Sequence, residues 1–179
     1  LREEAADAVR ELKEAGITKV VMMTGDSERT AAAIAKRVGV DEYYSEVLPE
    51  DKASFVEKEK ELGHKVIMIG DGINDSLALS SANVGIAISD GAAIAREIAD
   101  VTISADNLHE IVTLKRLSTA LMKRIHNNYR TIIGINGGLI ALGVTGIIMP
   151  TTSALLHNMS TLTISLRSMR NLLPKEEEA

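Results

Sequence analysis

The sequence predicts an α/β fold with a doubly wound parallel sheet, followed by a long linker helix and a transmembrane helical hairpin. Three observations lead to this fold class. Apolar, strand-like runs alternate with helical segments up to about residue 105, which implies right-handed crossovers in a parallel sheet. One such run, residues 65–69, ends in the acidic loop GDGIND at residues 70–75. From Thr131 to Leu166 the chain then carries no formally charged residue, with His taken as neutral.

The elements of the first part follow one another with clear boundaries. Glycines close helices, and a proline opens one because its fixed backbone angle suits the first helical turn. In order, the sequence predicts a helix ended by Gly16, a strand over 19–23, a helix over about 28–38 closed by Gly39, a short strand at Tyr43 and Tyr44, a helix opened by Pro49, a strand over 65–70, a helix near 74–81, a strand over 84–88, a helix near 91–99 and a strand over 101–103.

Composition excludes some classes of function. The net charge of -5 argues against nucleic acid as a partner, because no basic face dominates the first part of the chain. The absence of Cys excludes disulfides and thiolate metal sites. The chain opens without Met, inside a charged amphipathic helix that does not resemble a signal peptide. We therefore expect a piece of a longer protein.

The uncharged segment predicts membrane insertion. Residues 131–149 are long enough to cross a bilayer, which takes about 20 predominantly apolar residues. Lys and Arg cluster on both outer sides of the hairpin and are absent from its turn at Pro150. By the positive-inside rule both ends of the segment are cytoplasmic, in a multi-pass protein of the cell membrane in contact with lipid. The alternative is a buried helical hairpin in a soluble protein.

The loop GDGIND predicts a cation site at the end of a buried strand. Glycines 70 and 72 let the backbone turn sharply and approach a ligand closely. Asp71 and Asp75 bring two carboxylates together, and such oxygen ligands suit Mg²⁺, which usually binds one or two carboxylates plus phosphate and water. The alternative interpretation is a turn with helix-capping aspartates.

Two further loops predict contacts to a phosphoryl group. Thr24, Gly25 and Asp26 follow the strand over 19–23, and a hydroxyl and a glycine amide beside a helix N-terminus can donate to phosphoryl oxygens. Lys52 lies one turn into the helix opened by Pro49, where it can neutralise charge on a transferring phosphoryl group. Taken alone, the Thr24–Asp26 loop is also typical of a helix cap. Lys52 taken alone is also typical of a solvated surface lysine.

Taken together, TGDSERTAAAIAKRVGV, LPEDK and GDGINDSLALSSANVGIAI resemble the phosphorylation domain of heavy-metal-transporting P-type ATPases, within the haloacid-dehalogenase-like superfamily. The resemblance implies a domain incomplete at its N-terminus over 1–106, a linker helix over 107–128, a membrane hairpin over 129–173 and an acidic tail over 174–179. It implies ATP and Mg²⁺ as cofactors and ATP hydrolysis through an aspartyl-phosphate coupled to metal export.

The resemblance also implies roles for individual residues. Thr24 and Gly25 bind the phosphoryl group, Lys52 is the phosphate-binding lysine, and Asn74 reaches the phosphoryl oxygens. Asp71 coordinates Mg²⁺ with support from Asp75, and Asp26 completes the catalytic set.

The sequence departs from this family in one respect that bears on activity. The phosphorylated aspartate of the family lies in a DKTGT motif, which is absent here, as are the nucleotide-binding and actuator domains. Without an aspartyl nucleophile the covalent phosphoenzyme cannot form. We therefore expect this chain to be inactive alone and to have the missing N-terminal part of the pump as a partner.

Polar residues in the hairpin are candidates for binding the transported ion, because polar groups inside a membrane are costly and usually functional. A set with imidazole and thioether favours a soft or borderline transition-metal cation. The alternative for each residue is a hydrogen bond between helices. The candidates are Asn136, His157, Asn158, Met159 and Ser160.

Two other functions remain open from the sequence. A soluble phosphatase of the same superfamily with a helical tail predicts partition into the aqueous phase. A non-catalytic, membrane-anchored module predicts no binding of Mg²⁺ or phosphate analogues. A potassium- or calcium-transporting pump is a milder variant of the main interpretation.

Overall fold

The structure is a computed structural model that describes residues 4–88, 93–103 and 107–173. The chain forms two compact units, Leu1–Val112 and Thr113–Ala179. The elements are α1 (Ala5–Glu14), β1 (Val21–Met23), α2 (Glu28–Val38), β2 (Glu42–Tyr44), α3 (Pro49–Glu61), β3 (Ile67–Gly70), a 3₁₀ turn (Ile73–Asp75), α4 (Ser76–Ser81), β4 (Val84–Ile88), α5 (Ala93–Ile98), β5 (Val101–Ile103), α6 (His109–Val144) and α7 (Pro150–Ser168).

The strands of the first unit pair in parallel, as the alternation of helices and strands predicts. They form two sheets, β1-β2 and β3-β4-β5. The predicted single sheet is therefore divided: among the described strands, β1 pairs only with β2, and β3 pairs at one edge only, with β4. Ile67 and Ile69 of β3 remain 40% and 37% exposed, although isoleucines in a strand of this kind are normally covered.

Two strands are shorter than the apolar runs predict, because loop residues take the first hydrogen bonds. The Val20 amide donates to Asp41 Oδ2 at 2.8 Å, and the Val66 amide donates to Asn83 Oδ1 at 2.9 Å. Each amide is thereby satisfied by a side chain instead of a neighbouring strand. Residues 19–20 and 65–66 thus lie outside the strands, while the predicted boundaries of α2 and β4 are confirmed.

The core of the first unit lies between α3, α4 and the three-stranded sheet. Packing is tight at Gly85 in β4, where an added Cβ would lie 2.7 Å from the Leu79 carbonyl oxygen. Met23, at the end of β1, packs against the same core. The buried members of this cluster are Val56, Met68, Ala78, Leu79, Ala87 and Ala95.

The second unit contains the helical hairpin. The predicted linker helix and first hairpin helix are one helix, α6, which ends at Val144, five residues before the predicted end at Met149. Among the described residues, no helix combines the length and hydropathy needed to cross a membrane. The predicted transmembrane hairpin is therefore not supported, because the uncharged part of α6 covers only 131–144 and α7 is rich in Ser and Thr.

Candidate functional site

Lys52 and Asp75 form an ion pair at the carboxyl end of β3. Pro49 starts α3, which places Lys52 in the first turn, and Asp75 ends the 3₁₀ turn that follows the GDG loop. Lys52 Nζ lies 2.8 Å from Asp75 Oδ1, and the two side chains are only 13% and 11% exposed. Opposite charges removed from water in this way hold each other in one geometry.

Asp75 also organises the glycine loop. Its side chain lies so close to Gly70 that an added Cβ there would be 2.5 Å from Asp75 Cβ. The Gly72 amide is 3.4 Å from Asp75 Oδ2, and the Asp75 amide donates to the Gly72 carbonyl oxygen at 3.2 Å. Gly70 is therefore needed for close approach of a side chain, and Asp75 joins Lys52 to the loop that carries Asp71.

Asp71 and Asn74 are exposed in this loop. One oxygen of Asp75 is already bound to Lys52, so Asp71 is the carboxylate of the pair that remains open to solvent. Among residues 4–88, 93–103 and 107–173, no three His, Asp or Glu side chains are grouped to hold a metal ion. The donors therefore fit Mg²⁺ only in the manner usual for this ion, through one or two carboxylates with phosphate and water as further ligands.

The loop after β1 is closed by its own hydrogen bonds. Thr24 Oγ1 donates to Asp26 Oδ2 at 2.9 Å, and the Asp26 amide donates back to Thr24 Oγ1 at 3.1 Å. The Thr24 amide donates to the Tyr44 carbonyl oxygen, and the Val47 amide donates to the Thr24 carbonyl oxygen, each at 3.0 Å. Thr24 is thus fixed at the end of β1, while Gly25 and Asp26 are exposed beside the start of α2.

The sequence-predicted phosphoryl residues are brought together in part. Lys52 and Asp75 are in direct contact. Thr24 follows Met23, which packs against the cluster that contains Val56 of α3 and Met68 of β3. The TGD loop, the helix that carries Lys52 and the GDGIND loop therefore all adjoin elements of one hydrophobic core. Within the described part of the chain, no hydrogen bond joins Thr24 to Lys52 or Asp71. The sequence reasoning missed that Asp75 is the partner of Lys52; the acidic spacing in GDGIND was the available signal.

The second unit holds a polar contact between its helices. His157 Nδ1 of α7 lies 2.8 Å from Asn136 Oδ1 of α6. Ser160 Oγ donates to the His157 carbonyl oxygen at 2.8 Å, which is a bond within α7. Asn158 and Met159 are exposed. Of the five candidates for ion binding, the structure therefore joins two across the hairpin.

Comparison with known proteins agrees with these motifs. The haloacid dehalogenase-like hydrolase family matches residues 1–83. A zinc-exporting P-type ATPase of Mycobacterium marinum is 37% identical over 95% of this chain, which covers 23% of that protein. A manganese-exporting P-type ATPase of Mycobacterium tuberculosis is 37% identical over 95% of this chain, covering 24% of that protein. A copper-exporting P-type ATPase of Staphylococcus aureus is 36% identical over 100% of this chain and is covered to 23%.

Solved structures give the same relationship. A zinc-transporting PIB-type ATPase in its E2.Pi state matches 97% of this chain with a TM-score of 0.89 and 34% identity, and 28% of that chain is covered. The catalytic domain of a CPx-ATPase matches 64% of this chain and is itself covered to 45%, with a TM-score of 0.58 and 36% identity. The chain thus spans about a quarter of the curated relatives it matches. It carries a haloacid-dehalogenase-like fold and is homologous, over nearly its whole length, to heavy-metal-exporting P-type ATPases.

Proposed function

We propose that this chain is part of an ATP-driven pump that exports a transition-metal cation through an aspartyl-phosphate. The observation that carries the proposal is the shielded Lys52–Asp75 pair beside the exposed Asp71. A cation, an acid that fixes it and a second acid free for a metal ion are groups that phosphoryl transfer uses for positioning and electrostatic stabilisation, beside the nucleophile. The named relatives export zinc, manganese and copper.

Each residue of this site has a proposed role. Lys52 stabilises negative charge on the phosphoryl group, and Asp75 holds Lys52 in position. Asp71 is the Mg²⁺ ligand, and the ion, when bound, would neutralise part of the phosphoryl charge. The Thr24 hydroxyl and the Gly25 amide bind phosphoryl oxygens once the Thr24–Asp26 bond reorganises. Asn74, exposed on the same loop as Asp71, donates to a phosphoryl oxygen.

The proposed domains follow from this assignment. Residues 1–106 form the phosphorylation domain, 107–128 a linker, 129–173 the hairpin and 174–179 an acidic tail. We propose that the strand that bears the phosphorylated aspartate lies between β1 and β3. This strand and the ATP-binding domain would be supplied by another part of the whole protein. Among the described strands, β1 and β3 each lack a partner at one edge, and this feature and the exposed Ile67 and Ile69 support the proposed position.

The proposed ion pathway runs through the hairpin. His157 and Asn136 offer an imidazole and an amide oxygen at one point between α6 and α7, and neutral nitrogen ligands suit zinc, copper and related ions. Asn158, Met159 and Ser160 are further candidates on α7. Large apolar side chains are exposed along both helices, among them Ile133, Ile140 and Leu155, which supports contact with lipid or with other membrane helices. From the charge pattern we propose that both ends of the hairpin lie on the cytoplasmic side.

The proposal is tested on the product of the longest reading frame that contains these residues. We expect metal-dependent incorporation of label from ATP with zinc, manganese or copper. Lys52→Ala should reduce the rate of incorporation by about 10²–10³-fold, as loss of a charge-stabilising group does. Lys58→Ala is the matched control, because Lys58 is exposed on the same helix. Equal rates in both variants, or no labelling with any of these metals, would contradict the proposal.

A further inference from the structure

A basic cavity lies within the second unit, between α6 and the end of α7. It has a volume of about 430 Å³, and Lys123, Arg124, Arg167 and Arg170 contribute to its walls. No Asp or Glu is among the residues that line it. Four cationic groups around one small space repel one another unless an anion enters it.

One of the four cations has a structural role. Arg124 donates to the carbonyl oxygens of Ser168 at 3.0 Å and Asn171 at 2.8 Å, and also to the carbonyl oxygen of Arg170. Asn128 Nδ2 donates to Ser168 Oγ at 2.7 Å. These bonds hold the end of α7 against α6, and Arg124 and Asn128 thereby fix part of the cavity wall.

The other three cations are open to a ligand. Lys123, Arg167 and Arg170 are exposed, and no ion pair to a described carboxylate is found for any of them. Arg presents a planar set of donors that matches phosphate oxygens, and Lys adds a point charge. Asn127, which has an amide side chain, and Thr131, where the uncharged segment begins, also line the cavity.

We propose that this cavity binds the phosphate group of an anionic phospholipid headgroup. The proposal rests on the membrane placement of the hairpin proposed above, in which the cavity lies where the uncharged segment begins and headgroups are found. Basic pockets between helices at the cytoplasmic face are suited to anionic headgroups. Free phosphate has the same anionic chemistry, and the test separates the two sources.

The test measures binding of short-chain phosphatidylglycerol to the full 179-residue chain in a zwitterionic detergent, by native mass spectrometry and by titration. Phosphatidylcholine and inorganic phosphate are the comparison ligands. We expect phosphatidylglycerol to bind at least tenfold more tightly than either. The variant Lys123→Gln/Arg167→Gln should weaken this binding at least tenfold. Lys115→Gln/Arg130→Gln also removes one Lys and one Arg charge, but from positions on α6 outside the cavity lining. This control should leave the affinity for phosphatidylglycerol within about twofold of the unmodified chain.

Three results would overturn the proposal. Equal weakening in both double variants would show diffuse attraction instead of a site. Binding of inorganic phosphate as tight as that of phosphatidylglycerol would assign the site to a free anion. Unchanged binding in the single variant Lys123→Gln, in which one exposed cation of the lining is lost, would show that the lipid does not bind in this cavity, and this result holds even if the double variant unfolds. None of these readouts depends on ATP or metal, so they are distinct from failure of the pump proposal.

Discussion

The contact between Lys52 and Asp75 sets both the chemistry and the stability of the candidate site. Each side chain is largely removed from water, and each has the other as its charged partner. Removing one member of such a pair leaves an uncompensated charge, whereas replacing both by apolar groups is often neutral. The pair therefore makes a double-mutant cycle informative.

We expect Lys52→Met to lower the free energy of unfolding by about 3 kcal/mol, because Asp75 is then buried without its cation. The double variant Lys52→Met/Asp75→Leu should recover more than half of this loss. Urea denaturation followed by circular dichroism measures both, since the chain contains no Trp. The control Lys58→Met should change stability by less than about 0.5 kcal/mol. Additive losses in the double variant would refute the coupling.

At this scale the sequence identified the residues but not their contact. Lys52 and Asp75 lie in different motifs, 23 positions apart, and each was singled out by the chemistry of its own loop. Their pairing depends on α3 packing beside the 3₁₀ turn, which is a tertiary arrangement. Thr24 shows the converse case, since its hydroxyl is occupied by Asp26, a neighbour only two positions away.

Among the elements, α2 and β2 are joined by a carboxylate. The pKa of Glu28 lies below its usual value because the Ser45 hydroxyl, and then the Tyr43 hydroxyl, donate to its charged form. The Ser45 Oγ–Glu28 Oε2 and Tyr43 Oη–Glu28 Oε1 distances are 2.5 and 2.8 Å. Glu28 begins α2, and Tyr43 lies in β2, so these bonds hold the helix start to the strand.

This contact predicts a pH-dependent stability. Because the pKa of Glu28 is lower in the folded than in the unfolded chain, the unfolded chain binds more protons between these two pKa values. The free energy of unfolding therefore rises with pH in this range. The contribution is present above the usual value of 4.5 and is lost as pH falls through the folded pKa. We expect the stability difference between the wild type and Glu28→Gln to be largest near neutral pH and to shrink below pH 4.5.

Thermal unfolding between pH 3 and pH 7, followed by circular dichroism, measures this difference. Glu14→Gln is the matched control, because Glu14 is an exposed glutamate at the end of α1. A Glu28→Gln difference that stays constant across this range would rule out the proposed linkage.

The boundaries of strands and helices depend on contacts that local sequence patterns do not predict. The apolar runs at 19–23 and 65–70 predict strands, but Asp41 and Asn83 take up the first amides and shorten them. Those side chains lie 17 or more positions away, beyond any local pattern. The continuity of α6 was not predicted either: the resemblance implies a linker that ends at residue 128 and a hairpin that begins at residue 129, but α6 continues through this position, where no Pro interrupts it.

For the whole molecule, homology to pumps predicts ATP-dependent phosphorylation, whereas the short chain lacks the residue that this reaction modifies. The relatives are pumps of which this chain covers about a quarter, and the DKTGT aspartate is absent from its sequence. We expect the 179-residue chain alone to incorporate no label from ATP in the presence of Mg²⁺ and zinc, because it has no aspartyl nucleophile. Acid-gel autoradiography measures this, with a related zinc exporter as positive control.

Robust labelling of the isolated chain would contradict that expectation and would require a different nucleophile. Hydrolysis of a general phosphatase substrate by the chain would instead favour the soluble phosphatase. An in-frame DKTGT immediately upstream in the genome would agree with the pump.

The division of the sheet has a consequence for handling the chain by itself. Among the described strands, β1 and β3 each have one edge without a partner strand, and Ile67 and Ile69 are exposed on β3; such edges are a template onto which a strand of a neighbouring copy can add. We therefore expect concentrated samples of this chain to aggregate edge to edge, and a soluble strand-forming peptide that caps these edges to reduce that aggregation.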